Sequence, residues 1–296
     1  MKIITGMAVL ALSAASALAV TSAPLIVTAE APKSQPAPAV TEQDVIARVN
    51  NQPAEVTMWH PLRDDPAGLE LWIMIDDGTD TSIGVQFNDI KAFIRQQPAG
   101  VKVAIGYLRN GSVLAVQKPT TDHESAVKAI RLPYGLPGIS ASPYIALADF
   151  LHKLPVTPVQ PREIVLISSG VDPYYGPGPQ NPYLQTAYND AQKAGVLVYT
   201  IYYSGAGHAG HSYRQITWGQ NDLSELSEET GGEFYWQGTA NPVGLQPFFD
   251  DINRRFAAQY VMKVEMPNAH RGFERLHLHT EAQHVNLVSP SQVYVP

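Results

Sequence analysis

Leu69-Glu70-Leu71-Trp72-Ile73-Met74-Ile75-Asp76-Asp77-Gly78-Thr79-Asp80 is the stretch on which the fold turns. From Leu69 to Ile75 it is a nearly unbroken apolar run, bounded by Pro66 and Gly68 upstream and by acids downstream. Alternation would mark a strand with one wet face, whereas continuity predicts a strand buried on both faces, as at the centre of a helix-covered parallel sheet. The carboxylates of Asp76, Asp77 and Asp80 then crowd the position where such sheets bind ligands, the crevice outside the carboxyl ends of the strands. Acids so close together repel unless they are solvated or share a cation, and a hard divalent ion is a natural counter-charge. The competing reading is a metal-free loop whose acids cap the next helix or stay in water.

Downstream, helix and strand signals alternate. Phe87 to Gln96 places Phe87, Ile90, Phe93 and Ile94 at helical spacing. Val101 to Leu108 reads as a strand, and Asn110-Gly111 as a tight turn into a second strand, Val113 to Val116. Helices are expected over 122–130, 142–154, 184–193, 222–229 and 243–258, with strands at 164–167, 196–202 and 234–236 between them. Strands joined through helices imply right-handed crossovers, so the expected class is α/β: a doubly wound, mostly parallel sheet flanked by helices over residues 66–259. Beyond Tyr260, three alternating segments with no helix between them predict a small C-terminal antiparallel β appendage over 260–296.

Upstream, Lys2, the apolar run Met7 to Val20 and the triplet Ala17-Leu18-Ala19 read as a signal peptide over residues 1–19. The chain is therefore expected to be exported, to a periplasm or out of the cell. Residues 20–65 are expected to be a tether and N-terminal extension, because Val20 to Val40 is mostly small residues and proline. Within it, Thr41 to Val49 carries a loose capping-box pattern, Thr41 with Asp44, that predicts a short helix.

Composition narrows the function. With 0 cysteines there is neither a disulfide framework nor a thiolate metal site. A net charge of -7 and a pI near 5.7 argue against nucleic acid and anionic membranes, both of which need a cationic face. No later stretch reaches the roughly 20 apolar residues that a spanning helix needs.

Trp72-Ile-Met-Ile-Asp-Asp-Gly-Thr-Asp80, Pro161-Arg-Glu-Ile-Val-Leu-Ile-Ser-Ser-Gly-Val-Asp172 and the order of elements around them resemble the von Willebrand factor A (VWA) domains, in particular the exported bacterial VWFA-related proteins. The resemblance covers roughly residues 66 to 296, including a β tail. It implies a metal-dependent adhesion site built from an Asp-x-Ser-x-Ser loop, a Thr from a second loop and a distal Asp, and it implies that the protein binds a protein or cell-envelope partner. The match to that site is degenerate. Asp76 stands for the first Asp, Gly78 and Asp80 replace the two serines, Ser140 or Ser142 stands in the second loop, and Ser169 replaces the distal Asp, with Asp172 as its nearest substitute. By this resemblance Asp76, Asp80, Ser142 and Asp172 would hold a divalent cation (Mg, Ca or Mn), and Asp77, Thr79, Ser140, Ser169, Tyr174 and Tyr175 would face the partner.

Other constellations are weaker. Gly205 to Gly210 spells a dinucleotide fingerprint, but no helix pattern starts at its second glycine, which favours a flexible loop. The pairs His208/His211 and His277/His279 supply half of a tetrahedral metal site each. No Gly-x-Ser-x-Gly elbow is present, and Ser168 and Ser169 read as strand-end turn serines. The proline- and glycine-rich loop from Asp172 to Tyr183 carries Tyr174 and Tyr175, a residue type suited to binding surfaces. The expected function is an exported non-enzymatic binding module acting through the loops at the strand ends. The alternatives are a hydrolase using the Asp76 and Asp172 carboxylates and a structural subunit of an envelope assembly.

Overall fold

A computed structural model describes residues 19–32, 37–64, 68–155, 161–176, 180–207, 212–267 and 270–296. The expected signal peptide lies outside them except for Ala19. Four strands come first: β1 (Ala19–Thr21), β2 (Leu25–Glu30), β3 (Val45–Val49) and β4 (Gln52–Pro61). The alternating body follows as β5 (Glu70–Asp76), α1 (Phe87–Gln96), β6 (Lys102–Arg109), β7 (Ser112–Thr120), α2 (His123–Lys128), α3 (Pro143–His152), β8 (Arg162–Ser168), α4 (Pro182–Ala194), β9 (Val196–Tyr202), α5 (Tyr213–Thr230), β10 (Phe234–Tyr235) and α6 (Gln246–Phe256). The chain ends in β11 (Gln259–Pro267), β12 (Gly272–Thr280), β13 (Asn286–Val288) and β14 (Gln292–Val295).

The body is the expected α/β layer. Its sheet has the order β10-β9-β8-β5-β6-β7, all parallel except the edge strand β7. Every residue of β5 is buried because each face meets helices. Leu71, Ile73 and Ile75 pack with Ile90 and Phe93 of α1 and Phe249 and Ile252 of α6. Trp72 and Met74 turn the other way, onto Tyr144 and Leu147 of α3 and Leu184 of α4. Between β6 and β7, Asn110 (φ 50°) and Gly111 (φ 70°) make the expected left-handed turn.

Two expectations are corrected. The described residues between 20 and 64 form strands where a tether was expected, and the C-terminal strands are not a small appendage. Together they build an antiparallel sheet of 8 strands in the order β13-β2-β11-β4-β3-β12-β14, with β1 also paired to β11. Leu25, Val27, Val49, Met262, Val264, Leu276 and Val295 form its core. Average composition hid this, because the few large apolar residues of the segment are concentrated in short runs. Val45 to Val49 alternates buried and exposed, so the period of two prevails and the expected helix stops at a 3-10 helix over Glu42–Asp44. The Thr41 amide still donates to Asp44 Oδ2 at 2.9 Å. The sheet curls, bringing the Ala23 amide to the Tyr294 carbonyl at 2.9 Å. In the body, α5 starts well before the expected Asp222, because Ile216, Trp218 and Gly219 continue its buried face while Arg214, Thr217 and Asn221 point outward.

The two sheets meet at the amino ends of the parallel strands, where Ile26 and Val261 join the core of the first sheet. A polar pair is sealed into this junction. Glu163 of β8, fully buried, accepts a hydrogen bond from the Gln259 side-chain amide, which also donates to the Tyr199 hydroxyl at 3.0 Å. Burial pushes the Glu163 carboxyl up to about 8, outweighing the Gln259 bond. The folded state therefore holds a proton that the unfolded chain releases near the ordinary value of 4.5, and stability falls as pH rises from there through about 8. Glu163→Gln should be the more stable protein at pH 8, by on the order of 3 kcal/mol. Thermal melts of both proteins from pH 5 to 9 should show the difference growing with pH; parallel curves would mean that Glu163 is ionised in the fold.

Candidate functional site

The first sheet reverses its order beside β5, with β6 added on one side and β8 on the other, so the crevice for ligands opens at the carboxyl ends of β5 and β8. Asp76, the last residue of β5, forms its floor. Its Oδ1 accepts the Gly78 amide at 2.7 Å and its Oδ2 the Ser168 hydroxyl at 2.9 Å, with a further bond from the Ser140 hydroxyl. Burial pushes this carboxyl above the usual range despite those donors. A Cβ at residue 78 would lie 3.1 Å from Asp76 Oδ1, so glycine keeps this turn close.

Asp77 points away from the crevice. Fully buried, it takes both ends of the Arg131 guanidinium, at 2.7 and 2.9 Å, and its carbonyl accepts the Gly135 amide at 3.0 Å. Arg131 lies 3.8 Å over the Tyr107 ring, and the Tyr107 hydroxyl donates to its carbonyl at 2.6 Å. The segment from Arg131 to Gly135 is thereby clamped to the end of β5. Thr79 is buried and bridged to Gly205, and Asp80 accepts the Ser82 amide at 2.8 Å, capping the 3-10 helix Thr81–Gln86.

The other two acids and their partners serve the helices. Ser142 caps α3, accepting the Ile145 amide at 3.2 Å, and donates to Asp172 Oδ2 at 2.8 Å. Asp172 also accepts the Asn181 side-chain amide at 3.1 Å and the backbone amides of Tyr174 and Tyr175 at 2.9 and 3.2 Å. Asn181 in turn caps α4. One buried carboxylate thus ties together two helix N-termini, the ends at which negative charge is favoured. Asp222 of α5, below them, is pushed up to about 7 by burial, against bonds from Asn181 and from the Trp218 indole at 3.1 Å. The loop can lie this close to α5 because Gly170 and Gly219 face each other: a Cβ on Gly219 would fall 2.0 Å from the Ser169 carbonyl oxygen.

Above Asp76 a cleft of about 270 Å³ opens, lined on its polar side by Ser140, Ser169 and Gln215 and on its apolar side by Pro137, Val171, Pro173 and Ala206. Asp76, Ser140 and Ser169 thus come together from the end of β5 and two loops. Tyr174, 68% exposed, and Tyr175 stand on the loop that continues from Val171 and Pro173. Asp77, Thr79, Asp80, Ser142 and Asp172 belong to the frame around the cleft. Arg131 and Gln215 have no signal in the sequence: the partner of Arg131, Asp77, lies far along the chain, and Gln215 reaches the cleft from α5. Gly205 and Ala206 wall the cleft, whereas His208 and His211 lie outside the described residues. His277 and His279 are exposed on one face of β12, in the other sheet.

A divalent ion of the kind that the resemblance implies takes about six oxygen ligands. The cleft offers one carboxylate, with both oxygens already accepting hydrogen bonds, and two serine hydroxyls. Among the described residues no three His, Asp or Glu side chains converge on a common point. The described residues do not fit the ion.

No protein-family model matches this chain, and no curated protein does. Solved structures do. An aerotolerance-related membrane protein of Bacteroides fragilis and the conserved hypothetical protein BatB of Bacteroides thetaiotaomicron each align at 13% identity and a TM-score of 0.45, over 64% of this chain and 98% of theirs. The SpRpn10 VWA domain aligns at 13% identity and 0.38, over 62% and 94%. The last carries the name of the family that the sequence resembles.

Removing Arg131 leaves the Asp77 charge buried without a partner. Arg131→Ala should cost about 3 kcal/mol in denaturant melts and speed hydrogen exchange at the Gly135 amide. Unchanged exchange at Gly135 would show that the ion pair does not hold the loop.

Proposed function

We propose that this chain is an exported, non-enzymatic binding module that docks a protein partner of the cell envelope with the loops at the carboxyl ends of its parallel strands. One observation carries the reading: large side chains stand exposed on loops that buried charges tie to the frame by hydrogen bonds. Tyr134 and Leu136, 51% and 54% exposed, follow the Arg131 clamp, and Tyr174 follows the Asp172 turn. Aromatic rings presented in fixed positions give contact area at low entropic cost. The degenerate adhesion site then marks the place of docking without supplying an ion. Asp172, with both oxygens engaged by protein donors, favours a structural role over a hydrolytic one.

The test is a photo-cross-linking residue at Tyr134 or Tyr174 in producing cells, with exposed Glu55 of the other sheet as control. Both upper positions should yield the same protein adduct, and Glu55 should not yield it. Identical adducts from all three positions, or none from any, would sink the proposal, as would hydrolysis of an ester, glycoside or phosphate that Asp76→Ala abolishes.

A further inference from the structure

We infer that the cleft over Asp76 receives a basic side chain, lysine or arginine, of the docked partner, an inference that rests on the docking reading above. The charge inventory around the cleft leads there. Asp77 is neutralised by Arg131, Asp80 caps its helix, and Asp172 is filled by donors from Ser142, Asn181 and two backbone amides. Asp76 alone among these acids lines the cleft, and among the described residues no Lys, Arg or His lines it. The donors to Asp76 from Gly78, Ser140 and Ser168 are neutral, so no cation among the described residues offsets its charge; burial opposes that charge, and a cation seated over it would favour the ionised form, whereas an acidic guest would oppose it further.

The rest of the lining suits the same guest. Ammonium and guanidinium groups are donors only, and the Ser140 and Ser169 hydroxyls and the Gln215 amide oxygen can accept. Pro137 and Pro173 offer apolar wall against which the methylene stem of a long cation packs. At about 270 Å³ the cleft falls below the roughly 300–1,000 Å³ of sites that enclose a whole small molecule. It matches one side chain projecting from a larger surface, which the exposed Tyr134 and Tyr174 would contact around it.

The experiment titrates the purified chain with Nα-acetyl-lysine methylamide and its arginine counterpart, following the backbone amides of Ser140 and Ser169 by NMR. The norleucine analogue serves as the neutral isostere, and the glutamate analogue with magnesium as the opposite case. Saturable shifts are expected with lysine or arginine, and binding about tenfold weaker or less with norleucine, since a hydrogen bond to a charged group contributes at least that factor. Asp76→Asn should erase the difference; should that variant fail to fold, Ser169→Lys, which sets an ammonium of the chain's own at the cleft, should block both cations. Equal binding of norleucine, tighter binding of glutamate with magnesium, or no shift with any probe overturns the inference. A Tyr134 adduct that forms equally well in Ser169→Lys overturns the cation site while leaving the docking reading intact, whereas failure of every adduct in the unaltered chain defeats the docking reading itself.

Discussion

Burial of β5 on both faces is the constraint from which the rest follows. A strand whose odd residues face α1 and α6 and whose even residues face α3 and α4 can sit only inside a helix-covered sheet. That position also decides where its last residue emerges. Asp76 leaves the sheet where neighbouring strands diverge in order, so the crevice is a consequence of the topology before any side chain acts in it.

Around that crevice charge is organised by exclusion. Buried carboxylates are tolerated only with partners: a guanidinium for Asp77, a pair of helix N-termini for Asp172, and an indole with the Asn181 amide, shared with Asp172, for Asp222. These pairings connect loops that are distant in sequence and tie them to the ends of the strands and helices. Asp76 is the one of these acids that lines the cleft; its donors are neutral, so its charge, which burial opposes, has no cation beside it among the described residues.

The second sheet depends on both ends of the chain. β11 lies between β2 and β4, so a strand that begins just after α6 is held by strands that precede the whole α/β body. Such pairing is long-range and carries a loop-closure cost that local pairing avoids. Its polar contact with the first sheet, Glu163 with Gln259, couples the two sheets through a group whose ionisation burial opposes.

The central strand, the first helix, the Asn110-Gly111 hairpin and the parallel α/β class were legible because each rests on a local period or a turn residue acting within a few positions. The sequence by itself also determined where the crevice would open, since an apolar run ending in Asp76 can leave a buried sheet in only one place. Tertiary structure alone decided the rest. Leu25 to Val27 became core because β11 lay beside them, and low average hydrophobicity could not disclose a partner more than two hundred residues away. In the same way Arg131 chose Asp77, and Ser142 with Asn181 chose Asp172, so that two of the acids expected at the site turned away from the cleft. A carboxylate's role depends on which donors surround it, and donors brought together by folding have no spacing in the sequence to announce them.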